Sequence, residues 1–384
     1  MKNGKGKNSG SDFLLLFKLN RFSFAVYLFI SAIIFTIATI LGKESTPYGQ
    51  VWKMLMEGYD HVDLFGVACG IFGCVAGITA SACFSNEKKG AFLYSLPRDV
   101  RLTFIKLVTC EFIKSASALF IGAVGYLCAY LCITDGNVDG IKYYFYILAF
   151  CFFYFVIYFS VGVFAGAVAG RAVTRGLVCF AYSLSSFLLT YWVLGIYPNF
   201  SNTSSGIATV LRLPFIYHVP YGRLMYVFEE GLAYPELLPD FNTREFFLRG
   251  AYPFIGVVLT VIFFIGISAF IFKHRTLENS ASPFLIPVIG DVLRVLLTVE
   301  IYYLIVFQVW RQIDRVVKRI YSFFEKGAFV PVFTELIYFI CFFFIFSAMC
   351  TCSSKKTFSK LWLFPITGAI TYLLQIIICV SAKL

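Results

Sequence analysis

Runs of about twenty apolar residues, separated by shorter polar stretches, recur nine times along the 384-residue chain. The first, Phe22–Leu41, holds no charged residue. The others are Leu64–Phe84, Phe112–Ile133, Tyr144–Ala169, Leu177–Tyr197, Ala251–Phe272, Asp291–Val309, Pro331–Met349 and Leu361–Val380. A helix rises about 1.5 Å per residue, so about 20 residues cross the roughly 30 Å apolar layer of a bilayer. The pattern predicts an all-α fold: a polytopic transmembrane helical bundle of about nine spans, with no soluble domain.

The polar stretches divide the chain further. Segment 1–21 reads as a basic cytoplasmic tail followed by an amphipathic interfacial helix, Asp12–Arg21. No small-x-small cleavage site follows Leu41, so the first run is expected to be retained as a span. Residues 22–197 form a five-span half with a cytoplasmic hairpin at 85–106. Residues 198–250 form an extracellular loop cut into short pieces by Pro198, Pro214, Pro220, Pro235 and Pro239. Residues 251–384 supply the C-terminal spans. Within them, Ile313, Val316, Val317, Ile320 and Phe323 recur at helical spacing among Arg311, Arg315, Lys318, Arg319 and Lys326, which predicts an amphipathic surface helix over 310–330. With a cytoplasmic N-terminus the inner segments hold 18 Lys and Arg and the outer ones 13, the bias that the positive-inside rule requires. The basic segment 310–330 runs against that count. The alternative is that 291–309, with Asp291, Arg294 and Glu300, does not cross, which places the C-terminus inside.

Composition agrees with the pattern. Apolar residues make up 59% of the chain, charged ones 14%, and the mean hydropathy is +0.81. A soluble domain has about 25% charge. The net charge of +11 lies between the runs, as expected for orientation and attraction to anionic lipid, and not in a nucleic-acid patch. Ten of the twelve Cys lie in or beside apolar runs, where Cys acts as a small hydrophobe, so no disulfide scaffold is expected. His61, His218 and His274 do not cluster, no set of residues has metal-ligand spacing, and no phosphate-binding G-x-x-x-x-G-K-[ST] loop occurs. No catalytic residue, metal or cofactor is expected, and ATP, if used, is hydrolysed by another chain.

Two glycine stripes stand out. Gly66, Gly70, Gly73 and Gly77 share one helical face, and Gly162, Gly166 and Gly170 share another. Small residues at this spacing let helix backbones approach closely, so both are read as intramolecular packing faces, with a substrate-lining or homodimer face as the alternative. Charges inside apolar runs are costly and usually functional. Glu300 is the one such residue in mid-run, facing the bundle or pairing with Arg294. Glu111 and Lys114 are read as a surface-level ion pair where the third run begins, and Glu335 as an interfacial residue.

The most informative polar motif follows the second run, from Asn86 to Lys106. Leu93, Leu96, Val100 and Phe104 fall at helical spacing, with Pro97 where a helix would begin and Arg98, Arg101 and Lys106 adding positive charge. Ser95-Leu96-Pro97 followed by Arg101 resembles the S-L-P-x-x-R element of bacterial ABC exporter permeases, the second type of ABC transmembrane domain. Residues 87–107 are similar to the cytoplasmic hairpin of that family. After the sixth run, Lys273–Ser280 resembles its R-x-x-E-x-A-G element, with Arg275 and Glu278 matching and Ser280 and Ala281 standing where Ala-Gly is usual.

The resemblance extends over most of residues 12–380 and implies a plasma-membrane permease that works with a separate cytoplasmic ABC ATPase, as a homodimer or heterodimer of permeases. It implies coupling to that ATPase through Glu87, Gly90, Ser95, Leu96, Pro97 and Arg101, with Arg275 and Glu278 as a second cytoplasmic motif. The expected cargo is hydrophobic or amphipathic: a drug, a peptide or a lipid-like molecule. Two other classes stay open. One is an ion-coupled carrier using Glu300. The other is a membrane enzyme or scaffold using His218, Glu229, Glu230, Glu236 and Asp240.

Overall fold

The computed structural model describes residues 16, 18, 21–44, 59–85, 87–95, 99–133, 141–196, 243–273, 284, 286–310, 340–346, 349 and 362–371. The described part is all-α. Its helices are α1 (Arg21–Glu44), α2 (Tyr59–Ala82), α3 (Glu87–Ser95), α4 (Val100–Ile133), α5 (Ile141–Val168), α6 (Ala172–Ile196), α7 (Thr243–Lys273) and α8 (Pro287–Trp310). A 3-10 turn, Cys83–Ser85, follows α2, and residues 340–346 and 363–371 are also helical. Val100–Ala129 and Cys151–Val168 are long and apolar enough to cross a membrane, and Phe22–Ile37, Gly66–Ala82 and Val257–Lys273 are shorter apolar helices. The expected spans at 331–349 and 361–380 fall only partly within the described residues, and the surface helix at 310–330, apart from its first residue, and most of the loop at 198–250 fall outside them.

Two helices begin well before their apolar runs. The third run starts at Phe112, yet α4 starts at Val100. Asp99 is the reason: its Oδ1 accepts the Arg101 N–H at 2.9 Å and its carbonyl accepts the Thr103 N–H at 3.2 Å, the bonding of an N-cap. The sixth run starts at Ala251, yet α7 starts at Thr243, so the last eight residues of the expected outer loop are helical.

The chain divides into two compact units, Met1–Val168 with Arg212–Ser280, and Ala169–Leu211 with Ala281–Leu384. In the first, α2 and α5 form the main helix pair, α1 packs on α4 and α2, and α7 packs on α5 and α4. Close approach of α2 and α5 depends on residues without side chains. A Cβ on Gly73 would strike the Phe155 carbonyl, one on Gly77 the Phe159 carbonyl, and one on Gly162 would lie 2.5 Å from the Cys74 carbonyl. The two glycine stripes thus face each other's helix, and Gly166 leaves room for Ser81. In the second unit, α6 packs on α8, and an isolated antiparallel bridge joins Ala169 to Phe284.

In the first unit large apolar side chains face outward as well as inward, and several polar side chains are buried. On α1, Phe22 is 72% exposed, and Val26, Phe29, Ile33 and Ile37 continue the same stripe, while Tyr27 and Ser31 are buried. On α4, Leu102, Ile113 and Phe120 are exposed while Thr103, Glu111, Lys114 and Ser115 are buried. On α7, Leu259, Ile262 and Phe270 are exposed while Thr260 and Ser268 are buried. Water would favour the reverse arrangement.

Candidate functional site

The hairpin after α2 is an elbow built around four rings. Phe84, in the turn, is fully buried. Its ring centroid lies 5.9 Å from that of Tyr94 on α3, 6.1 Å from that of Phe104 on α4 and 4.9 Å from that of Phe272 on α7. Phe104 and Phe272 stack at 4.0 Å with 18° between their planes. Leu93 is buried beside them in sequence on α3. The cluster binds together the end of α2, the short helix α3, the start of α4 and the end of α7. Such rings contribute large apolar area and restrict how neighbouring backbones slide.

The sequence places Leu93, Leu96, Val100 and Phe104 on one helix starting near Pro97. The structure corrects this. Leu93 belongs to α3, which ends at Ser95, and Phe104 belongs to α4, which starts at Val100. Asp99 caps the second helix, and the Ser95 hydroxyl donates to the Phe92 carbonyl at 2.8 Å in the last turn of the first. The two apolar residues are buried on different helices of a bent corner, not along one helix face. Of the motif residues, Glu87, Gly90 and Ser95 lie on α3 and Arg101 lies in the first turn of α4. Gly90 is buried and Ser95 exposed. Arg101 is half-buried, and its buried Nε has no hydrogen-bond partner among the described residues. Leu96, Pro97, Arg275 and Glu278 lie outside the described residues. Phe272, though, is one residue before Lys273, where the second motif begins. Comparison with protein-family models, with curated proteins and with solved structures finds no match to this chain.

The Glu111–Lys114 pair is not at a surface. Both side chains are 0% exposed, with Lys114 Nζ 2.8 Å from Glu111 Oε1. The Tyr27 hydroxyl donates to Glu111 Oε2 at 2.9 Å, and Lys114 Nζ reaches Ser23 Oγ at 3.5 Å. The pair is buried because α1 covers it. Close by, the Ser31 hydroxyl donates to the Ala118 carbonyl at 2.8 Å, so α1 and α4 are joined by polar contacts from Ser23 to Ser31. Sequence reading missed Tyr27 and Ser31. Their signal was polar atoms inside an otherwise apolar run.

Glu300 is 5% exposed and does not pair with Arg294. Residues six apart on a helix point to different sides, whereas residues three apart are neighbours. Arg294 accordingly pairs with Asp291, Nη2 to Oδ1 at 3.0 Å. Glu300 Oε1 is instead in hydrogen-bond contact with Ser185 Oγ on α6, and Glu300 Oε2 is buried with no hydrogen-bond partner among the described residues. Arg175 is buried: its Nε donates to the Ala169 carbonyl at 3.0 Å and its Nη2 to the Gly170 carbonyl at 2.6 Å. Gly66 and Gly70 lie with Gly73 and Gly77 on α2, and Gly170 lies in the bend between α5 and α6. Among the described residues, no three His, Cys, Asp or Glu side chains group as metal ligands.

Proposed function

We propose that the chain is the membrane-spanning permease subunit of an ATP-driven ABC exporter, moving a hydrophobic or amphipathic substrate. It is a bundle of about nine spans in the cell membrane with its N-terminus in the cytoplasm, and a separate cytoplasmic subunit hydrolyses ATP. Two permease chains, alike or different, enclose the path.

The observation that supports this most is mechanical. α4 is one unbroken helix of 34 residues, from the elbow at Val100 to Ile133. A push on α3 is therefore delivered through the ring cluster to a helix that continues into an apolar stretch long enough to cross a bilayer. Rigid elements that move as bodies are how closure of one domain is passed to another. The exposed Phe92 and Ser95 leave one side of α3 at the corner open to a partner. Membrane embedding is supported by the large apolar side chains facing outward while Glu111 and Lys114 are buried.

The test is co-purification of the full chain from its native membrane, followed by nucleotide hydrolysis. An ATPase is expected to travel with the wild-type chain and to be lost in the Leu96→Asp, Arg101→Glu double variant. Equal association of that double variant would remove the hairpin from the mechanism.

A further inference from the structure

We propose that Glu300 and Ser185 form a proton-binding site on the α6–α8 helix pair, with the proton held between the two side chains. This site is independent of the elbow and of any ATPase. Counting hydrogens leads to it. Ser185 Oγ lies 2.8 Å from the Ala181 carbonyl, one turn back on α6, and is also in contact with Glu300 Oε1. A serine hydroxyl has one hydrogen to donate and lone pairs to accept with, and a carbonyl has no hydrogen. If Glu300 were ionised, one hydrogen would have to serve both contacts, and the other would set lone pair against lone pair. With a proton on Glu300, both contacts are hydrogen bonds: Glu300 donates to Ser185 Oγ, and Ser185 donates to Ala181.

Glu300 Oε2 supports the same assignment. Among the described residues it is buried without a hydrogen-bond partner. That is tolerable for the carbonyl oxygen of an acid and costly for half of a carboxylate charge. The cations on these helices are engaged elsewhere. Arg294 binds Asp291, and Arg175 binds the carbonyls of Ala169 and Gly170. The remaining titratable side chains described on the pair, Cys179 and Tyr182 on α6 and Tyr302 on α8, are ordinarily neutral at neutral pH. A hard metal ion takes about six or more oxygen ligands, and this contact offers two side chains. Drawing α8 away from α6 would remove the Ser185 acceptor and admit water, so proton occupancy would follow the packing of the pair.

Infrared spectroscopy of the purified full chain reads this directly. At neutral pH the wild type is expected to show a protonated-carboxyl C=O band that Glu300→Gln abolishes. Ser185→Ala should move the band to higher frequency by removing the acceptor, and Asp291→Asn should leave it in place. Absence of the band from the wild type, or its survival in Glu300→Gln, would overturn the proposal. Loss of the band on adding sodium at constant pH would overturn it too, in favour of a metal ion. Should Glu300→Gln fail to fold, the Ser185→Ala spectrum decides, and an unmoved band counts against the site. None of these outcomes bears on whether an ATPase docks at the hairpin.

Discussion

Glu111 and Glu300 are both buried acids in long apolar helices, and their surroundings differ in kind. Around Glu111 each carboxylate oxygen has a donor, Lys114 on one side and Tyr27 on the other, and Ser115 donates to its backbone carbonyl at 2.7 Å. Around Glu300 one oxygen meets Ser185 and the other meets no donor. The first arrangement is closed: charge is cancelled within the α1–α4 pair, and there is no vacancy for a ligand. The second is open to one small exchangeable species. A charge in an apolar run therefore has two physical outcomes, and the donors supplied by neighbouring helices choose between them. Packing follows the same division. The α2–α5 interface has no room for a methyl group at Gly73 or Gly77, whereas α6 has open space around Gly176.

Substitutions can break this contrast, beginning with the largest effect. Lys114→Met strands the Glu111 charge in the interior and should cost about 3–5 kcal/mol, as removal of one member of a buried pair does. Adding Glu111→Gln to it should recover most of the loss, and thermal unfolding of the purified variants in one detergent would measure both. Tyr27→Phe removes one hydrogen bond to a charged acceptor and should cost about 1.5–3 kcal/mol by the same measurement. Gly77→Ala drives a Cβ into the Phe159 carbonyl and should cost about 1–3 kcal/mol, read as a lower melting temperature. Glu300→Gln exchanges one neutral hydrogen-bonding group for another and should shift stability by less than about 1 kcal/mol, in contrast to Glu111→Gln alone. Gly176→Ala meets no neighbour within 4 Å and should raise helix stability slightly, by about 0.5 kcal/mol. Equal losses at Glu111→Gln and Glu300→Gln would abolish the distinction between the two acids.

Helices were legible in the apolar runs because the runs are long and their order is simple. Their starts were less so. Arg101, Lys106 and Glu111 lower the local hydropathy, so the third run reads as beginning at Phe112, while hydrogen bonds to Asp99 start the helix at Val100. The glycine stripes showed which faces approach closely, since a missing side chain is visible in sequence. Glu300 was visible as a charge out of place, but Ser185 lies 115 positions away and looks like any helical serine. Glu111 and Lys114 were visible as neighbours at i and i+3. Their burial depends on α1, 84 positions from Tyr27 to Glu111, and no local pattern encodes that. The ring cluster shows the same limit: four Phe and Tyr residues among 46 Phe and 24 Tyr have no individual signal until the fold gathers them.

The most direct measurement places a photo-crosslinking residue at Phe92, on the exposed side of α3, in the full chain in its native membrane. The account predicts an adduct with one cytoplasmic chain that is itself labelled by an ATP analogue, and a loss of that adduct in Arg101→Glu. A chain that transports its substrate after purification alone, with no ATP-binding adduct at Phe92, would contradict it.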